Sequence, residues 1–218
     1  MSKTIIVSNR LPISLQHKNG KFEFKPSAGG LATGLGSIYK EGENIWIGWP
    51  GNAVEDEGQR KEVVDELIKL KMAPVFLTKK DVELYYEGFS NETIWPAFHY
   101  FTQHINYEDE YWDAYWNVNK KFCDAILAKA SDDDTIWVHD YQLLLLPMML
   151  REKLPNATIA FFQHIPFPSY EIMRMLPWRK QMLEGMVGSD LIGFHTYDDM
   201  RHFLSAVGRI CGCLSNGN

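Results

Sequence analysis

Asp140 and His164 carry the chemistry that this sequence makes easiest to see. Residues 135–138 form a short strand-like run that ends in His139, Asp140 and Tyr141. Residues 158–162 form a second run, ending in Gln163, His164 and then Ile165-Pro166-Phe167-Pro168. An apolar, helix-forming stretch closed by Pro155 lies between them. Strand, helix, strand is the parallel crossover unit, and ligands of such sheets collect at the carboxyl ends of the strands. Asp140 and His164 are therefore expected side by side, facing a crevice. A carboxylate placed there accepts hydrogen bonds from sugar hydroxyls or acts as a base.

Other residues fit the same crevice. Arg10 follows the first strand-like run, residues 4–7, and a guanidinium at that end suits a phosphate through paired N–H donors. Ser27-Ala28-Gly29-Gly30 precedes a predicted helix running to about Tyr39. Gly29 and Gly30 would let a ligand approach the backbone, where unpaired N–H groups and the positive end of the helix dipole favour a phosphate or oxyanion. Tyr86 and Trp95 lie in an aromatic segment, and sugars pack their C–H faces on such rings. Each residue also has a quieter explanation. Gly29-Gly30 is a tight turn with a serine cap, Arg10 a surface ion pair, Asp140 a helix N-cap. His164 is then a satisfied core residue, and Tyr86 and Trp95 a small core under a loop.

The elements that must position these residues alternate. Hydrophobic spacing predicts strands at 4–7, 45–49, 73–77, 135–138, 158–162 and 191–194. Helices are predicted at 57–70, 108–130, 143–154, 171–175, 178–187 and 197–208. Asn19-Gly20 between two alternating runs reads as a hairpin turn. Residues 79–101 read as the least regular region. The alternation specifies an α/β fold: a doubly wound, mostly parallel sheet with helices on both faces and a small β-hairpin insertion. There is no internal repeat or interdomain linker, so residues 1–218 read as one domain.

The totals narrow the function. The chain has 218 residues, 45% of them hydrophobic, which is ample for a packed core. A net charge of −6 argues against nucleic acid or an acidic membrane as partner. Three cysteines without framework spacing suggest reduced thiols in a cytoplasmic protein, and Cys211-Gly212-Cys213 lacks the matching pair that a zinc site needs. The first residues enter a strand at once, so no signal peptide is expected. The three-glycine dinucleotide fingerprint, the Walker loop, Gly-x-Ser-x-Gly and His-Glu-x-x-His are all absent.

Taken together, several strings resemble the trehalose-6-phosphate synthase family. They are Ser8-Asn9-Arg10-Leu11-Pro12, Ser27-Ala28-Gly29-Gly30-Leu31, Trp49-Pro50-Gly51, Trp95-Pro96-Ala97-Phe98-His99, Tyr115-Trp116-Asn117-Val118-Asn119, His139-Asp140-Tyr141 and His164-Ile165-Pro166-Phe167-Pro168. They run in register from residue 7 to about 208. The resemblance implies a retaining glucosyltransferase of the two-domain GT-B type. Such enzymes move glucose from UDP-glucose to glucose 6-phosphate, giving α,α-trehalose 6-phosphate and UDP, with no cofactor or metal. It also implies roles. Arg10 would grip the acceptor phosphate, Tyr86 and Trp95 would line the acceptor pocket, and Asp140 would bind acceptor hydroxyls. Gly29 and Gly30 would approach the donor phosphates, and His164 would contact the donor glucose. Retention in the family is ascribed to front-face attack, so Asp140 positions its ligand and is not a nucleophile.

Two departures from the family pattern stand out. Gln142 replaces a histidine in His-Asp-Tyr-His-Leu, with little effect expected because Asp140 is kept. Residues 1–218 match only the N-terminal, acceptor-side Rossmann-like domain, and the C-terminal nucleotide-sugar-binding domain is absent from the chain. The chain alone is therefore expected to be inactive. A sister transferase using glycerol 3-phosphate, or a non-catalytic regulatory subunit, remains open at this stage, as do the nucleotide preference and a homo-oligomer.

Overall fold

The computed structural model describes residues 2–18, 21–26, 34–35 and 42–212. Six strands form one sheet: β1 (Thr4–Arg10), β4 (Ile45–Trp49), β5 (Met72–Pro74), β6 (Thr135–His139), β7 (Thr158–Phe162) and β8 (Leu191–Gly193). Their order is β5-β4-β1-β6-β7-β8, and every neighbouring pair is parallel. β2 (Ile13–Lys18) and β3 (Lys21–Pro26) form the expected antiparallel hairpin, separate from the sheet. The chain winds outward from β1 in one direction, then returns to β6 and winds outward in the other. The strand order thus reverses between β1 and β6, and a crevice opens at their carboxyl ends.

Alternation along β6 splits the interior into two layers. Ile136 and Val138 face one core with Phe89, Tyr115, Phe122 and Phe161. Trp137 faces the other, with Trp46, Val63, Leu67 and the hairpin residues Ile13 and Leu15. The helices are α1 (Glu57–Lys69), α2 (Lys79–Asp81), α3 (Trp95–Phe98), α4 (Asp109–Leu127), α5 (Leu146–Arg151), α6 (Tyr170–Met173), α7 (Arg179–Val187) and α8 (Tyr197–Ile210). α7 packs tightly on α5. A Cβ at Gly185 would meet the Leu144 carbonyl, and one at Gly188 the Met148 backbone, so both positions exclude any side chain.

Two expectations are corrected. Residues 79–101 are mostly helical, not irregular. Thr78 and Asp81 form a capping box on α2, which runs into a π-helix, Val82–Ile94, and then α3. The wider π turn explains the misreading. Tyr85, Phe89 and Ile94 are spaced by four and five residues, off the α-helical period, yet all are fully buried. The helix expected over 143–154 is shorter, because Tyr141–Leu143 is a 3-10 turn and Pro147 marks the first turn of α5. In the segment 27–39, Gly34 and Leu35 are helical, and the rest, including Gly29 and Gly30, lies outside the described residues.

Candidate active site

Asp140 follows β6 directly and adopts φ 77° and ψ 168°. Glycine accepts that conformation freely, whereas a side chain there costs on the order of 1–3 kcal/mol. Asp140 Oδ1 accepts hydrogen bonds from Tyr141 N at 3.0 Å and His164 N at 3.1 Å. Among the described residues, Oδ2 has no partner. Burial pushes the carboxyl up to about 6, against the opposing pull of those two N–H groups and of His195 and His99. The N-cap explanation also holds, since Asp140 caps the 3-10 turn. Ordinary capping uses extended backbone, however, and does not call for this conformation.

His164 stands beside Asp140, as the strand-end argument expects. Its Nε2 lies 3.0 Å from His139 Nδ1. With Trp137, His139, Phe162, His195, Gly34 and Leu35 it lines an open cleft of about 450 Å³. Burial lowers His139 to about 3, with His164 adding to the effect. Burial lowers His164 to about 4, with His195 adding. Both rings are neutral at physiological pH. His139 and His195 went unassigned in the sequence. The strand-end rule that found Asp140 and His164 would have found His195, which follows β8.

Arg10 ends β1 and is exposed. Its guanidinium lies 5.3 Å from the Trp49 ring centroid and takes part in no ion pair among the described residues. Gly51, at φ +95°, makes room for it, since a Cβ there would collide with the guanidinium. Tyr86 packs on the other side of this group, 6.0 Å from Trp49. Trp95 is 38% exposed and stacks on His99 at 4.0 Å, so its face is partly open beside the ring that acts on Asp140. Two buried ties hold the π-helix to the sheet ends. Tyr85 Oη donates to Asn9 Oδ1 at 3.0 Å, and Tyr141 Oη donates to Asn91 Oδ1 at 3.0 Å. Gln142 is buried in the 3-10 turn, where its carbonyl accepts from Asn119 Nδ2 at 3.1 Å.

The titrations make opposite contributions to stability. An unfolded histidine titrates near 6.5. As pH falls below that, the unfolded chain takes up protons that buried His139 and His164 refuse, so their contribution is lost between about 6.5 and 3. Asp140 works the other way. Its folded carboxyl holds a proton up to about 6, so its contribution grows as pH falls from there toward the unfolded value. Stability should therefore fall on acidification, more steeply in Asp140→Asn and less steeply in His139→Asn. Urea midpoints measured across this range test it, and parallel curves for the three proteins would refute it.

The reversal point between β1 and β6, with a guanidinium on one side and a strained carboxylate on the other, defines a Rossmann-like ligand-binding domain of the GT-B type. Residues 2–218 match the family model "Glycosyltransferase family 20". The alpha,alpha-trehalose-phosphate synthase [UDP-forming] of Candida albicans is 47% identical over 214 residues, 95% of this chain and 45% of that protein. A synthase structure from Burkholderia xenovorans in complex with glucose-6-phosphate matches with a TM-score of 0.76 and 33% identity, covering 95% of this chain and 43% of that one. The N-terminal domain of Candida albicans trehalose-6-phosphate phosphatase matches with a TM-score of 0.82 and 31% identity, covering 99% and 45%. The chain belongs to glycosyltransferase family 20. It spans less than half the length of these relatives.

Proposed function

We propose that this chain forms the acceptor side of an α,α-trehalose-phosphate synthase. The reaction moves glucose from UDP-glucose to glucose 6-phosphate with retention, giving trehalose 6-phosphate and UDP. Asp140 is the observation that carries this reading. A carboxylate held in a glycine conformation, with Oδ1 tied and Oδ2 open, sits where the sheet opens its crevice. An open carboxylate oxygen there accepts a sugar hydroxyl. Arg10, unpaired among the described residues and braced on Trp49, takes the acceptor phosphate. Tyr86 and Trp95 wall the acceptor, and His164 meets the donor glucose. Gly29 and Gly30 approach the donor phosphates. UDP-glucose is a co-substrate, and this reading calls for no cofactor.

The relatives favour a synthase over a non-catalytic counterpart. Identity is 47% to the Candida albicans synthase and 31% to the phosphatase N-terminal domain of the same organism. A chimera tests the proposal, with these 218 residues replacing the aligned part of the Candida albicans synthase. UDP release that depends on glucose 6-phosphate is expected, and the chain alone should be silent, since transfer needs both substrates held together. Release with glycerol 3-phosphate in its place, or no release by a folded chimera, would overturn it.

A further inference from the structure

His139 is 1% exposed, and its Nε2 is buried with no hydrogen-bond partner among the described residues. Its Nδ1 meets His164 Nε2 at 3.0 Å. A neutral imidazole has one donor nitrogen and one acceptor nitrogen, so only two arrangements satisfy this bond. If His164 donates from Nε2, His139 must carry its proton on Nε2, where it finds no acceptor. If His139 donates from Nδ1, its buried Nε2 is a bare lone pair. An orphaned buried N–H is rarer in native proteins than an under-satisfied acceptor. The second arrangement is therefore favoured.

We infer that His139 is a positioning residue that fixes His164 as the Nδ1–H tautomer and so turns His164 into a neutral hydrogen-bond donor toward the cleft. The hydrogen bond at one ring nitrogen sets the proton on the other. His164 Nδ1 has no partner among the described residues and is the nitrogen left for a ligand. Because neither ring is charged, the site offers an N–H to a ligand oxygen without adding positive charge. A sugar hydroxyl or ring oxygen suits such a donor. The role toward the donor glucose rests on the function proposed above, whereas the tautomer rests on the histidine pair alone.

Long-range ¹H–¹⁵N spectra of the ¹⁵N-histidine-labelled chain at neutral pH read the tautomer directly. His164 should show a protonated Nδ1 and an unprotonated Nε2. Asn at position 139 keeps an N–H in place of His139 Nδ1, so H139N should preserve this signature. H139L removes the donor, and His164 should shift toward the Nε2–H form. An Nε2–H signature at His164 in the parent chain would overturn the inference, as would an unchanged signature in H139L. In the chimera, H139L should raise KM for UDP-glucose but not for glucose 6-phosphate, with H139N closer to the parent. The expected tautomers with unchanged KM values would leave the positioning role standing and overturn the contact with the donor.

Discussion

Glycine at position 140 should give a more stable protein than alanine, and both variants should lose transfer. The usual order is the reverse, because glycine's extra freedom in the unfolded chain costs about 0.5–1 kcal/mol relative to alanine. Both substitutions remove the carboxylate and its bonds from Tyr141 N and His164 N, so those losses cancel between them. What differs is the backbone. Alanine keeps the strain of φ 77° and ψ 168°, and glycine relieves it. The expected advantage of glycine is about 1–3 kcal/mol. Denaturant unfolding of the two chains gives the number, and alanine equal to or above glycine would refute the strain. In the chimera both should transfer about 10²–10⁴-fold more slowly, the range for a positioned acid–base group. Near-parent rates in either would remove Asp140 from the site.

Arg10→Ala should raise KM for glucose 6-phosphate about 10- to 150-fold, because a charge-assisted hydrogen bond contributes about 1.5–3 kcal/mol. Arg10→Lys should recover only part of this. An ammonium lacks the planar fork of donors and stacks less well on Trp49. Gly51→Ala should act in the same direction, since the new methyl group occupies the guanidinium's place. Unphosphorylated glucose supplies the control, and parent and Arg10→Ala should use it equally slowly. An unchanged KM for glucose 6-phosphate in Arg10→Ala would exclude the phosphate contact.

The parallel crossover was legible because residues 135–138 and 158–162 are too short and β-branched for helices and bracket an apolar run. That pattern was enough to place Asp140 next to His164. Nothing in the sequence marks Asp140 as left-handed, since an aspartate normally avoids that conformation and only the tertiary fit imposes it. The His139–His164 bond was equally hidden. It depends on adjacent β6 and β7 side chains meeting across the sheet, a distance that spacing along one strand does not report. The π-helix was missed because only α and β periods were sought. Gly29 and Gly30 lie outside the described residues, so the structure does not place them.

A π-helix differs from an α-helix by about one extra residue per turn. The segment Val82–Ile94 is therefore sensitive to length in a way that the sheet is not. Losing one residue here would rewind a turn and swing everything beyond it by about 100° around the axis, the rotation per residue of an α-helix. Tyr86 lies near the start of the segment and Trp95 just after its end, so their relative facing depends on that count. Lineages within the family could thus exchange one acceptor for another by an indel, without substituting a single residue that touches the sugar. Segment length between the residues matching Tyr86 and Trp95 would then track acceptor choice better than residue identity does.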